Sequence, residues 1–424
     1  MNRMIGKRRT AAIVSLNGNV KEIEDLADSA DFEVLCELVQ RRAYPDPSTF
    51  VGKGKVNDLK EILEMRHVDV LLFNGDLKPS QHFSLEKNLR IECIDRVRLV
   101  LNIFKERAKT AESKLQVERA TLKYEIPFLR EWIHNAKAGE HPGFLAGGEY
   151  AVDVYYDLVR KRMNVIEGEL SRLGRGQELR REQRRKKGFN LVCFAGYTNA
   201  GKSSLLNTLA NDAATVDKKM FSTLSARTRR IGGTHNEILL TDTIGFLEDL
   251  PYFMIESFKY TIDEILSADL VLLVVDSSDS DDEMRRKMNA SIQILFPEVD
   301  ASRMIIVLNK TDLLDSDLEK KIQLVREVAS CNEIVPVSAV SKQGIGNLIG
   351  LIASHFYDRC EIELVLPNVP DAGRIVAWLY ETETIQRIDY GDEVRLSVSC
   401  REESKDRIVE RAKGLGGRVV NSFG

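Results

Sequence analysis

Residues 190–210 read NLVCFAGYTNAGKSSLLNTLA, and this stretch limits the possible folds more than any other. An apolar run, 190–195, leads into Gly196-Tyr197-Thr198-Asn199-Ala200-Gly201-Lys202-Ser203, and a helical pattern follows over 204–210. The spacing is that of a strand, a GxxxxGK[ST] loop and a helix. Glycines let successive backbone N–H groups turn inward around phosphate oxygens, and the helix N-terminus adds favourable partial charge. Lys202 supplies a point charge for β and γ phosphates, and the Ser203 hydroxyl suits Mg²⁺. With Ser204, these nine residues are candidate nucleotide ligands, and the chain here must build an α/β sheet.

Further motifs follow in order. Residues 239–241 are apolar into Asp242, a carboxylate at a strand end facing the loop and placed to hold Mg²⁺ through water. In Asp242-Thr243-Ile244-Gly245, the Gly245 N–H is offered to a γ-phosphate, so the following loop can sense hydrolysis. Residues 271–275 and 304–308 are wholly apolar, as buried parallel strands are. The second ends in Asn309-Lys310-Thr311-Asp312. A carboxylate there accepts from guanine N1–H and N2–H₂; adenine lacks that donor pair, so the motif favours GTP over ATP. Ser338-Ala339, after a strand at 334–337, would back the base with N–H groups. A magnesium-binding switch threonine is expected between 211 and 235, where Thr223 and Thr228 are the candidates. Arg227, Arg229 and Arg230 read as a solvated basic loop, with arginine fingers in cis as the alternative.

A length of 424 residues implies about two to four domains. The net charge of −4 excludes a uniformly basic nucleic-acid binder. The six cysteines scatter through apolar segments without C-x₂₋₄-C spacing, as reduced core cysteines of a cytoplasmic protein do. No apolar run approaches the ~18 residues that span a bilayer, so no membrane partner is expected. The expected architecture is α/β multidomain. Residues 1–103 form a small α/β domain, with strands at 11–16, 32–39, 68–73 and 91–94 and helices at 20–29, 56–65 and 79–89. Residues 104–187 form a helical hairpin. In it Phe104, Ala108, Ala111, Leu115, Leu122, Ile126, Leu129 and Ile133 mark one helix face, with Pro127 expected to kink or end it. Val159, Met163, Ile166, Leu170 and Leu173 mark the second helix. Its end, 178–188, carries six basic residues against two acidic: a solvated end, or a phosphate-contacting patch. Residues 188–358 form the P-loop domain with its parallel sheet. Residues 359–424 form a small α+β domain, with strands at 362–366, 375–380 and 394–399 and a helix at 405–413.

GYTNAGKSS, FSTL, DTIGFLEDLP and NKTD resemble the HflX GTPases. So do STFVGKGKV (48–56), SQHFSLEKNL (80–89) and IFKERAKTAESKLQVERATLKYEIPFLRE (103–131), in a half of the chain that other GTPases lack. The resemblance implies the four parts above, with Thr223 of FSTL as magnesium ligand. It also implies a large-ribosomal-subunit partner that stimulates hydrolysis and, in some members, separation of stalled ribosomes into subunits. The basic hairpin end then reads as an rRNA contact. Two segments depart from the family pattern. FLAGGEY replaces RGPGE between the hairpin helices and looks like the archaeal branch; Ser225-Ala226-Arg227-Thr228 replaces Asp-Pro-Thr-Thr.

The position after Gly245 often carries a glutamine that orients water; here it is Phe246, which has no polar side-chain atom and reads as core packing. Hydrolysis by the chain alone should be slow, since even glutamine-bearing GTPases turn over at roughly 10⁻⁴ s⁻¹ without an activator. Help could come from a partner or an ion. Asn199 occupies the loop position that helps bind K⁺ in potassium-activated GTPases; the competing reading is that it only stabilises the loop. The candidate catalytic residues are thus Lys202, Asn199 and Gly245. Gly52-Lys53-Gly54-Lys55 precedes a helix but lacks P-loop spacing and reads as a glycine turn. The chain is expected to be a monomer, and two rival functions stand beside the ribosomal one: a switch for another partner with the hairpin as effector arm, and an RNA-remodelling enzyme that uses ATP as well as GTP. Asp312 speaks against ATP as the sole fuel.

Overall fold

The computed structural model describes residues 8–137, 148–210, 220, 227–231, 238–243, 245–248, 251–295, 299–314, 317–329, 333–357 and 359–423. The chain forms two compact units. One comprises Met1–Leu173, Thr215–Ala226 and Thr243–Asp263; the other comprises Gly174–Ala214, Arg227–Asp242 and Glu264–Gly424.

The first unit opens with β1 (Arg9–Ser15), α1 (Lys21–Ser29), β2 (Phe32–Val39), α2 (Lys53–Met65), β3 (Val70–Asn74), α3 (Pro79–Leu89) and β4 (Glu92–Asp95). The strands pair in parallel in the order β2-β1-β3-β4. Ala11, Ala12, Ile13 and Val14 are all buried, without alternation, because both faces of β1 are covered. Pro79 sits at the first position of α3, where its missing N–H costs nothing. Asp95 starts α4 (Arg96–Arg107), accepting from the Arg98 N–H at 2.8 Å and the Leu77 N–H at 3.1 Å. Burial raises the Asp95 carboxyl against these bonds.

The single stripe expected from Phe104 to Ile133 is divided between two helices. α4 ends at Arg107, and α5 (Ala111–Lys137) starts afresh on a reciprocal Thr110–Ser113 pair at 3.1 Å. Phe104 therefore packs in the domain core rather than along the hairpin. Pro127 lies within α5 without ending it: a long helix sacrifices one N–H bond there, and its ring faces solvent. α6 (Gly148–Lys186) runs from the first unit into the second. Arg162 of α6 grips Glu118 of α5 with two bonds of 2.6 and 2.8 Å, and Arg130 reaches Tyr156 Oη at 3.0 Å. These pairs run in opposite directions along the chain, as in an antiparallel hairpin. The turn expected at 138–150 falls largely outside the described residues.

The second unit holds β5 (Asn190–Gly196), α7 (Lys202–Leu209), β6 (Arg227–Arg230) and β7 (Ile238–Asp242). After the chain passes through the first unit in α8 (Tyr252–Ser257) and most of α9 (Lys259–Leu266), it continues with β8 (Leu270–Asp276), α10 (Asp281–Leu295), β9 (Met304–Asn309), α11 (Leu318–Val328), β10 (Ile334–Pro336) and α12 (Ile345–Tyr357). The sheet order is β10-β9-β8-β5-β7-β6, parallel except for β6. Chain order reverses at β5, and the crevice beyond its carboxyl end is where such sheets bind ligands.

The chain closes with β11 (Arg359–Pro367), α13 (Pro370–Thr382), β12 (Thr384–Tyr390), β13 (Glu393–Arg401), α14 (Glu402–Gly414) and β14 (Arg418–Phe423). They form an antiparallel sheet ordered β12-β13-β11-β14, with Ile362, Leu364, Leu396, Val398, Leu379 and Ile408 in its core. The strand expected at 375–380 is part of helix α13. Ala372, Ile375, Val376 and Leu379 are buried at helical spacing, and Pro370 opens the helix. A short apolar run satisfies both periods, and here the helical one governs.

Candidate active site

Four parallel strands bring their carboxyl ends together. β5 ends in Gly196, β7 in Asp242, β8 in Asp276 and β9 in Asn309. The glycine loop leaves β5 at Gly196, where φ is +135° and a Cβ would lie 2.3 Å from the Val274 carbonyl oxygen. Asn199, at the tip, takes a left-handed φ of 61°, a conformation asparagine tolerates better than most residues. Its side chain is exposed and makes no hydrogen bond to a described residue. Gly201 caps α7 at φ +96°, and a Cβ there would meet Asn309 Nδ2 at 2.1 Å.

Lys202 opens α7 and is nearly enclosed, at 6% exposure. Its Nζ donates to the Gly196 carbonyl at 2.9 Å and the Tyr197 carbonyl at 2.7 Å. Burial pushes its ammonium down to about 8, while the Asp242 carboxylate pulls the other way. Next to it, Ser203 Oγ donates to Asp242 Oδ2 at 2.6 Å, and Asp242 is wholly buried. Thr198 Oγ1 is also buried and lacks a hydrogen-bond partner among the described residues. Ser203 and Asp242 present hard oxygens at one point, the donor type and low carboxylate count that suit Mg²⁺. Thr223 lies outside the described residues. Thr228 stands on β6 opposite Thr241, and their hydroxyls meet at 3.0 Å on the ladder. Arg229 and Arg230 belong to the same strand rather than to a loop.

Asn309 does more than its motif announces. Its Nδ2 donates to the Ala200 carbonyl at 2.9 Å, and its Oδ1 accepts from the Ala339 N–H at 3.1 Å. One side chain thus ties the glycine loop to the loop after β10. Lys310, left-handed at φ 65°, places Nζ 2.5 Å from Asp276 Oδ2. Asp312 is exposed in a short 3₁₀ turn, and its carboxylate has no partner among the described residues. The expectation that Ser338 and Ala339 offer free N–H groups needs revision. Ser338 N–H donates to the Gln343 carbonyl at 3.0 Å, and Ala339 N–H is held by Asn309. The loop satisfies its own buried donors because no backbone polar group is left unpaired cheaply. Sequence reasoning also missed Ser277, whose buried Oγ donates to the Asn309 carbonyl at 2.7 Å. The Asp276-Ser277 pair ending the third apolar strand was the available signal.

Thr243, Gly245 and Phe246 belong to the first unit and are buried, Phe246 at 3% exposure. Phe246 therefore packs as a core residue, as its apolar side chain suggests.

Three family models match consecutive parts of the chain: a GTP-binding GTPase N-terminal region over residues 17–105, a GTP-binding GTPase middle region over 107–184, and a 50S ribosome-binding GTPase over 191–310. The GTPase HflX of Thermococcus kodakarensis is 44% identical, covering 75% of this chain and 73% of its own. The chain belongs to the HflX family of GTPases. The HflX protein of Methanocaldococcus jannaschii is 36% identical over 93% of this chain and 96% of its own, and that of Escherichia coli 32% identical over 87% and 86%. A crystal structure of SsGBP with GDP superposes with a TM-score of 0.51 at 24% identity, covering 82% of this chain and 98% of that one, which supports the fold. As a family member the chain is a GTPase that binds GTP and GDP. Among its described residues no helix is long and apolar enough to cross a membrane.

Proposed function

We propose that this HflX GTPase hydrolyses Mg²⁺-bound GTP at the loop 196–203 and works on the large ribosomal subunit. The observation that carries the catalytic part is the convergence of Lys202, Ser203 and Asp242 at one strand-end crevice. Phosphates entering there replace the two carbonyl acceptors of Lys202 Nζ, which keeps its proton at neutral pH. Ser203 Oγ and Asp242 hold the metal, with Thr223 as the switch ligand, since the Thr228 hydroxyl is engaged on the sheet. Mg²⁺, when bound, neutralises charge on the phosphate oxygens. Asp312 reads the guanine edge with a carboxylate that has no partner among the described residues, and Asp276 holds the Lys310 ammonium. Gly245 offers its N–H to the γ-phosphate.

No side chain at position 246 can orient water, so turnover of the chain alone is slow and depends on outside help. The large subunit is the proposed source. The family model over residues 191–310 is described as 50S ribosome-binding, and α6 ends in the basic run 178–188, which suits rRNA phosphates. Asn199, exposed and uncommitted, is the proposed ligand of an activating K⁺ placed beside the phosphates. The test is GTP turnover in potassium and in sodium buffer, with and without purified large subunits. A rise on adding subunits supports the ribosomal role. Equal rates in the two buffers remove the ion, and no response to subunits removes the partner.

A further inference from the structure

Two of the cysteines face each other in the C-terminal sheet. β11 and β13 are its two central strands, and they pair antiparallel without a register shift from Arg359↔Arg401 to Pro367↔Glu393. Cys360 stands directly opposite Cys400 in that ladder. The alternation of strands puts Cys360, Ile362 and Leu364 on one face of β11, and Leu396, Val398 and Cys400 on the matching face of β13, where the domain core lies. The two sulfurs are 3.5 Å apart, and Cys400 Sγ also donates to the Cys360 carbonyl oxygen at 3.7 Å. The other described cysteines do not share this placement. Cys36 and Cys93 lie on β2 and β4, the opposite edges of the N-terminal sheet, and Cys193 lies on β5 in the nucleotide-binding sheet.

We propose that Cys360 and Cys400 form a reversible cross-strand disulfide by exchange with a low-molecular-weight disulfide, and that this bond staples the C-terminal domain. Directly opposed residues on antiparallel strands have Cα atoms about 4.5–5.5 Å apart, inside the roughly 4.4–6.8 Å that a disulfide spans. The sulfurs have to approach by about 1.5 Å to reach an S–S bond of about 2.0 Å, a change that side-chain rotation supplies with the ladder intact. In the exchange, the thiolate of one cysteine attacks the small disulfide and expels a first small thiolate. The thiolate of the other cysteine then attacks the mixed disulfide and expels a second. The two cysteine protons end on the two released thiols. The cysteine sulfurs are oxidised, the small disulfide is reduced, and one S–S bond replaces another. Both cysteines are buried, at 1% and 0% exposure, so the exchange proceeds while the domain is open and the bond is sealed in when it closes. The bond links positions 40 residues apart, and the loop it closes carries α13 and β12 between the two central strands. A domain this small builds a limited core and gains much from such a closure.

The full-length chain is equilibrated in buffers of reduced and oxidised glutathione, with and without urea at a concentration short of unfolding. The readouts are peptide mapping by mass spectrometry without reduction and hydrogen exchange of the β11 and β13 amides. Oxidising buffer should yield a peptide joined through Cys360 and Cys400, and reducing buffer should remove it. Exchange of the β11 and β13 amides should slow by about tenfold or more on oxidation and recover on reduction. Cys360→Ala and Cys400→Ala should each lose both the linkage and the redox response; if either fails to fold, the redox series on the unaltered chain decides. Urea at this level speeds opening, so absence of the linkage there is not a matter of access and overturns the proposal. Glutathione attached to the single cysteines in place of the linkage overturns it too. A linkage that leaves exchange unchanged or faster overturns the staple, as does a redox response that survives in the single variants.

Discussion

Lys202 carries a cost that the fold bears for the sake of phosphate binding, and its size can be worked out. The ammonium is buried, and its pKa is lowered from 10.5 to about 8. Below the lowered value the lysine is charged in both folded and unfolded chains, and the full penalty is present. Between about 8 and 10.5 the unfolded chain holds a proton that the folded one has lost, so stability rises with pH through that window. The interval of about 2.5 pH units, at 1.36 kcal/mol each, corresponds to about 3 kcal/mol. Lys202→Met removes the charge while filling much of the volume. It leaves the Gly196 and Tyr197 carbonyls without their donor, at about 1 kcal/mol each. The variant should therefore be about 1 kcal/mol more stable than the parent at pH 7 when no nucleotide is added, and should lose this advantage by pH 10. Native-state hydrogen exchange of the β5 and α7 amides is the assay, because it reports this sheet rather than the whole multidomain chain. Equal or weaker protection of the variant at pH 7, or an advantage that does not change with pH, would refute the desolvation argument.

Three more outcomes follow from the same geometry. GTP affinity should fall as pH rises above about 8, because phosphate binding favours the protonated lysine; calorimetry in buffers of different ionisation enthalpy should detect proton uptake at pH 9, and a flat profile would exclude Lys202 from the contact. Asp312→Asn should weaken GTP by roughly a hundredfold or more, since one paired acceptor for the guanine donors is lost; unchanged GTP affinity in competition binding would dismiss the assigned role. Gly201→Ala drives a Cβ into Asn309 Nδ2 at a left-handed φ, so it should destabilise the sheet by about 2 kcal/mol and disturb the tie from Ala200 to Ala339; normal thermal stability and GTP binding would contradict that reading.

The sequence by itself determined the elements whose signals are local. GYTNAGKS demands a strand, a loop and a helix within a dozen residues, and these are β5, the loop at 196–201 and α7. Apolar runs such as 271–275 become buried parallel strands because nothing in them could face water. The HflX motifs were legible as short strings for the same reason. Where two periods fit a short run, as at 375–380, local reading chose a strand, and packing against β11 and β13 selected a helix. A stripe spaced for one helix was cut at Ala108 by a capping exchange between Thr110 and Ser113. Only the tertiary structure decided that Asn309 ties two loops together, that the Ser338 and Ala339 N–H groups are occupied, and that residues 243–263 belong to the N-terminal unit. The two ties of Asn309 depend on partners 30 and 109 residues away, Ala339 and Ala200. A hydrogen bond or an ion pair of that range leaves no periodicity in the chain; it exists once burial has brought the two side chains together.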